Sequence, residues 1–165
     1  PYFIIEKAPE LSPLISNARK INNSMPNFVV DCVQNIVNKG GKIAVLGLTY
    51  KGNIDDVRES PAMEIVSLLL EKEFKLSVHD PHVTEDQVYF PLHTFADAVV
   101  DADCILVLTD HKEFEQLDED LITLNMKKPV ILDTKNCVKV TSDSINYFNY
   151  NNLFELTNNK TEVSV

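Results

Sequence analysis

After Gly41 the chain carries four short apolar, strand-like runs, at residues 42–47, 75–80, 103–109 and 129–133, with helix-like stretches between them. Few folds accept that alternation. Consecutive strands joined through helices lie parallel in one sheet, and the crossovers are right-handed, so helices cover both faces. The run at 103–109 contains Cys-Ile-Leu-Val-Leu without polar alternation, as expected of a strand buried on both sides. The fold class is therefore α/β, a Rossmann-like parallel sheet with helices on both faces. Ligands of such sheets sit at the carboxyl ends of the strands. That rule selects four loops, residues 47–60, 80–83, 109–112 and 133–137.

The helical stretches can be read from local signals. Ser60 stands at an N-cap position with Pro61 at N1, and Ala62, Ile65, Val66 and Leu69 form the inward stripe. Met63 occupies N3, so no capping box forms. Residues 94–100 and 112–124 read as further helices. Before Gly40-Gly41 the pattern differs. Leu11, Leu14, Ile15 and Ala18, then Phe28, Val29, Cys32, Val33, Ile36 and Val37, predict a long helical arm over residues 10–39. Pro26 is expected to break or kink it, with Ser24 able to cap the second half. In this region only residues 2–5 look strand-like. Residues 158–165 read as a frayed polar tail. The organisation expected is an arm at 1–39, an α/β domain at 40–157 and the tail.

Composition removes some functions. Acidic residues outnumber Lys plus Arg by 25 to 15, giving a net charge of −10 and a pI near 4.8. A nucleic-acid coat needs a basic face, so no nucleic-acid partner is expected. An anionic ligand must be met by a few local cations and backbone N–H groups. Cys32, Cys104 and Cys137 form neither a disulfide framework nor a zinc pattern, and they read as small buried residues in a reducing compartment. No apolar run approaches the roughly 18 residues of a membrane span, so no membrane role and a cytoplasmic location are expected. The first residues carry neither an initiator Met nor a signal-peptide layout, which leads us to expect a piece of a longer protein.

The loop at 47–60 is the richest in chemistry. It is neither Gly-x-Gly-x-x-Gly nor a P-loop, because Asn53 stands where the P-loop needs Lys. It is long for a βα connection and ends at a helix N-terminus, which favours anions. Tyr50 offers a flat ring, Lys51 a point charge and Arg58 a planar fork suited to a diphosphate. Alternatively, Lys51 and Arg58 pair with Asp55, Asp56 and Glu59 as solvated ion pairs. His79, His82 and His111 lie at strand ends, where loop and packing roles are expected; no metal is expected, because no zinc-ligand spacing accompanies them.

The run Leu48-Thr49-Tyr50-Lys51, followed by residues 55–62 (Asp-Asp-Val-Arg-Glu-Ser-Pro-Ala), resembles the C-terminal domain of the UDP-glucose/GDP-mannose dehydrogenase family. Arg19, Ile21, Asn22, Met25 and Pro26 resemble its Ala-Arg-x-Ile-Asn-x-x-Met-Pro helix, which continues from the central dimerisation domain. Asn23 stands where Asp is common. His79-Asp80-Pro81 and Thr109-Asp110-His111-x-x-Phe114 resemble two further motifs. Pro1-Tyr2-Phe3 resembles the end of the family's cysteine-nucleophile motif.

The resemblance implies an NAD-dependent oxidation of C6 of a nucleotide sugar from alcohol to carboxylate, in two hydride transfers. It implies substrate contacts from Tyr50 and Lys51, with Lys51 offsetting negative charge on oxygen, and a contact from Arg58 to the NAD diphosphate. Lys135 is the third substrate-binding residue implied; it stands where the family usually carries Arg, so the charge is kept and the fork lost. The nucleophilic cysteine is expected just before Pro1, so this segment alone is expected to be inactive and NAD to be held mainly by an N-terminal domain. A UDP-sugar and a homodimer or higher oligomer are the implied partners. The loop is most similar to the N-acetylated UDP-hexosamine branch, which suggests UDP-N-acetyl-D-mannosamine as substrate. UDP-glucose, UDP-N-acetylglucosamine and GDP-mannose stay open. A receiver-like signalling domain using Asp80, Thr109 and Lys135 is the alternative of another class.

Overall fold

The computed structural model describes residues 2–158. Its sheet has five parallel strands: β1 (Lys42–Leu46), β2 (Lys75–His79), β3 (Cys104–Val107), β4 (Val130–Asp133) and β5 (Asn146–Asn149), in the order β2-β1-β3-β4-β5. The helices are α1 (Tyr2–Lys7), α2 (Pro13–Ile36), α3 (Pro61–Glu71), α4 (Phe95–Val99), α5 (Glu119–Asn125) and α6 (Phe154–Asn158). From β1 the chain first moves outward to β2, then returns across β1 to β3. That reversal makes a switch point between β1 and β3. The register aligns the strand ends: Leu46 pairs with His79 and Val107, Val107 with Asp133, and Asp133 with Asn149. The following loops therefore start from one edge.

Strand residues alternate between two cores, as the pleat requires. Ile43, Val45, Cys104, Leu106 and Leu132 face α2 and α3, where Val30, Val33, Val66 and Leu69 are buried. Ala44, Leu46, Ile105, Val107 and Ile131 face α4 and α5, with Ala98, Val99, Phe114 and Ile122. Helices on both faces are thus present as expected. The second half of α2 belongs to the first core, whereas Leu14 and Ile21 in the first half are exposed, as is Leu11 in the short 3-10 turn (Pro9–Leu11) before the helix. Among the described residues no helix is long and apolar enough to cross a membrane.

Four sequence expectations need correction. A fifth strand, β5, was not anticipated. It lies at the sheet edge with no fully buried residue, so Asn-Tyr-Phe-Asn lacks the apolar run that marked the others. Residues 2–5 are helical. Tyr, Phe and Ile favour strands, but no strand pairs with them; the Ala8 N–H donates to the Ile4 carbonyl at 2.9 Å, and Arg19 stacks on the Tyr2 ring at 4.4 Å. Pro26 does not break α2. Its ring is buried, the turns after it are held by Val29, Val30 and Val33 in the core, and Ser24 donates to the Ile21 carbonyl at 2.8 Å instead of capping. The stretch 112–124 divides into a short 3-10 turn (Lys112–Phe114) and α5, because Asp118 accepts from the Leu121 N–H at 2.9 Å and starts a new helix there. Asn158 closes α6, and the rest of the expected tail lies outside the described residues.

Candidate functional site

The loop after β1 turns sharply at Gly47, whose φ of +89° favours glycine. A side chain there would also meet Thr109, with a Cβ only 2.5 Å from that of Thr109. The next residues are fastened to neighbouring strand ends. The Leu48 N–H donates to Asp80 Oδ2 at 2.7 Å, and the Thr109 hydroxyl donates to the Thr49 carbonyl at 3.0 Å. Gly52 N–H donates to Asp110 Oδ1 at 3.1 Å, and the Lys112 N–H donates to Asn53 Oδ1 at 3.0 Å. His111 is fully buried beneath. Its Nδ1 accepts from the Asn53 N–H at 2.9 Å, which places the ring proton on Nε2, facing Asp80 Oδ2 at 3.1 Å and Thr49 Oγ1 at 3.3 Å.

Asp80 is the inner end of this brace. Burial alone would raise its carboxyl, but hydrogen bonds from His111 and from the N–H groups of His82 and Leu48 outweigh burial and hold it below the ordinary range. Loops 80–83 and 109–112 thus serve as the foundation of loop 47–53. His82, His111 and Glu113 bring one ligand atom each within 4.8 Å of one another. Both nitrogens of His111 are already engaged, so that trio belongs to the brace. His79 Nδ1 donates to the His93 carbonyl at 2.9 Å and has a loop role, as expected.

The turn after β4 is organised by one buried carboxylate. Asp133 accepts the N–H groups of Lys135, Asn136, Cys137 and Val138, each at 2.8 Å, and the Tyr147 hydroxyl at 2.9 Å. Burial, then the nearby Asp133 charge, pushes the Cys137 thiol up to about 12, which leaves it an inert neutral group. Cys32 and Cys104 are buried, as expected, and Cys137 is half-buried.

The two braced loops open onto one cleft of about 710 Å³. Thr49, Tyr50, Thr134 and Lys135 line its sheet side, Ser60 to Ala62 its α3 side, and Arg19, Asn22, Asn23 and Met25 its α2 side. Ser60 caps α3, accepting from the Ala62 N–H at 3.2 Å. Lys51 is exposed beside Tyr50 and does not line this cleft. Arg58 lies outside it, in a shallower recess of about 420 Å³ with Tyr50, Asp56 and Glu59. Its Nε and Nη2 each donate to Asp56 at 2.8 Å; the Arg58 side chain and then its N–H hold the Asp56 carboxyl down at about 2. The solvated pairing considered for Arg58 is therefore present.

The sequence reading did not single out Tyr150, which follows the unanticipated β5, or Glu64, one turn into α3. Arg19 entered only as part of a helix motif. A receiver-like chemistry finds no support in the geometry. Asp80 is buried and fully used by its hydrogen bonds, and the Thr109 hydroxyl is spent on the Thr49 carbonyl.

Residues 44–140 match the UDP binding domain of the UDP-glucose/GDP-mannose dehydrogenase family. Over 140 residues the chain is 44% identical to a UDP-N-acetyl-D-mannosamine dehydrogenase of Methanocaldococcus jannaschii, covering 82% of this chain and 32% of that protein. It is 36% identical over 141 residues to an NDP-N-acetyl-D-galactosaminuronic acid dehydrogenase of Ralstonia nicotianae, with coverages of 82% and 32%. Among solved structures, a UDP-N-acetyl-mannosamine dehydrogenase of Staphylococcus aureus superimposes with a TM-score of 0.83 and 46% identity, over 94% of this chain and 37% of that one. The chain spans about a third of the length of the curated relatives it matches.

Proposed function

This chain belongs to the UDP-glucose/GDP-mannose dehydrogenase family, and we propose that it forms the nucleotide-sugar-binding part of an NAD-dependent UDP-sugar 6-dehydrogenase. The substrate proposed is UDP-N-acetyl-D-mannosamine, oxidised at C6 to the uronate, in keeping with the names of its relatives. Turnover is assigned to the whole protein. One observation carries the reading: two strand-end loops, each locked by a buried acid, present Tyr50 and Lys135 to a single cleft.

In this reading Tyr50 gives the sugar or base a flat face, and Lys135 and the N-terminus of α3 attract the diphosphate. Lys51 is exposed and follows Tyr50, which lines the cleft; its ammonium is assigned to offset negative charge on oxygen as the alcohol is oxidised. Arg58 fits the NAD diphosphate: it is exposed, and Asp56 holds one edge of its guanidinium while the other faces outward. NAD, when bound, supplies the hydride acceptor. The exposed apolar residues of α2 are assigned to contact with a second copy, and the protein to the cytoplasm.

The test is Lys51→Ala in the intact enzyme. Losing a charge-assisted contact costs about 1.5–3 kcal/mol, or roughly ten- to a hundredfold in affinity. UDP binding should weaken by that factor and turnover should nearly vanish, with Lys135→Ala milder. Wild-type kcat and KM for the UDP-sugar in the Lys51→Ala enzyme would defeat the assignment.

A further inference from the structure

We propose that Arg19, on the helical arm, is an oxyanion ligand of the cleft, so that α2 supplies a third binding wall opposite the two sheet loops. This inference rests on the nucleotide-sugar reading of the cleft. Arg19 is held in place rather than loose. Its guanidinium stacks on the Tyr2 ring at 4.4 Å, and Nη2 donates to the Tyr2 hydroxyl and, at 3.4 Å, to Asn23 Oδ1. Its Nε is enclosed and has no hydrogen-bond partner among the described residues. Buried donors are nearly always satisfied, and an orphaned one marks a place where a group from elsewhere belongs. Arg19 itself lines the cleft.

The charges around the cleft say what that group is. Arg19 and Lys135 are its basic lining residues, and Glu59 and Glu64 its acidic ones. The sum is near zero, so no broad positive field draws an anion in. Attraction must come from directed donors, and a guanidinium fork is the side-chain geometry that matches phosphate. Arg19 and Lys135 stand on different walls, with the N-terminus of the eleven-residue α3 on a third. A group bearing several oxygens can meet all of them, which favours a diphosphate over a single carboxylate. The two acids are left to accept sugar hydroxyls.

The alternative is that Arg19 merely ties α1 to α2 through Tyr2. Calorimetric titration of the intact protein with UDP, inorganic pyrophosphate and uridine separates these possibilities, using Arg19→Gln, Arg19→Lys and Tyr2→Phe. We expect Arg19→Gln to weaken UDP and pyrophosphate about ten- to a hundredfold and to leave uridine unchanged. Arg19→Lys should recover part of the loss, because charge returns without the Nε donor. Tyr2→Phe should keep wild-type UDP affinity, since it removes the hydroxyl's hydrogen bond but leaves the ring stack and the Asn23 contact that hold the guanidinium. Equal UDP affinity in Arg19→Gln and wild type overturns the proposal, as does an equal loss in Tyr2→Phe. If pyrophosphate binds through Arg19 while UDP does not bind, the anion site stands and the nucleotide reading falls. If wild type binds neither, both fall.

Discussion

His111 holds an amide of one loop with Nδ1 and a buried carboxylate with Nε2. Removing it strands both partners. His111→Ala leaves the Asn53 N–H without an acceptor and Asp80 without its side-chain donor, in a space too tight to admit an easy rearrangement. We expect a loss of about 2–4 kcal/mol in unfolding free energy, measured by urea titration. The acid limb gives a second readout. The folded carboxyl of Asp80 lies below its unfolded value of about 3.9, so its stabilisation is fully present above that pH and is lost as pH falls through the folded value. Burial opposes this shift and the His111 bond is its largest support, so the stability slope below about pH 4 should shrink in His111→Ala. An unchanged slope would mean that Asp80 is held by the backbone alone. Gly52 belongs to the same brace for a different reason: a Cβ there would sit 2.2 Å from the Asp110 carbonyl oxygen, closer than any atom can stand. The sequence displayed these residues at strand ends but not their pairing. Asn53 and His111 are 58 positions apart, and only the alignment of β1 with β3 brings them together.

At the scale of elements, what could be read was what local chemistry decides. Ser60-Pro61 opens α3 because both residues suit a helix N-terminus wherever they fall. The three inner strands, β1, β3 and β4, announced themselves by burial on both faces, and the edge strand β2 by the short run that Pro81 stops. The other edge strand, β5, did not, since Asn-Tyr-Phe-Asn offers no apolar run. The break expected at Pro26 does not occur, because a proline's local penalty, about 3 kcal/mol, says nothing of the packing that holds the turns after it. The turn after β4 was legible as a ligand loop, while its organiser was not: Asp133 reads as one acid among 25 until its five donors are seen converging. Asp133→Ala should therefore cost about 3 kcal/mol or more in chemical denaturation, because four backbone N–H groups and the Tyr147 hydroxyl lose their acceptor together. Lys135 rides on that turn, so UDP affinity should fall as well, even at temperatures where the variant stays folded. A variant as stable as wild type would show that water can replace the carboxylate.

The whole molecule presents two unlike surfaces. One is the acidic exterior of a chain with net charge −10, in which the cleft is a local exception supplied by side chains from α2 and the sheet loops. The other is the outer side of α2. Leu14, Ile21 and Phe28 recur every seven residues and stay 81%, 66% and 45% exposed, and Leu11, in the short turn that precedes the helix, is 87% exposed. A seven-residue repeat keeps apolar side chains along one seam of a helix, the spacing by which helices pack against each other. Phe28 has partial cover from Tyr150, with ring centroids 6.4 Å apart; Leu14 and Ile21 have much less. Burying a Leu or Ile side chain contributes roughly 1.5–3 kcal/mol, and a two-fold contact uses each position twice. The chain should therefore associate through α2 in a concentration-dependent way. Sedimentation velocity across a concentration series should show it, and Leu14→Glu combined with Ile21→Glu should shift the species toward monomer. Both positions face outward, so the double variant should keep wild-type helicity by circular dichroism, which separates a lost interface from a lost fold. A wild-type chain that stays monomeric throughout the series, or a double variant that sediments like wild type, would assign the seam to some other surface of the complete protein.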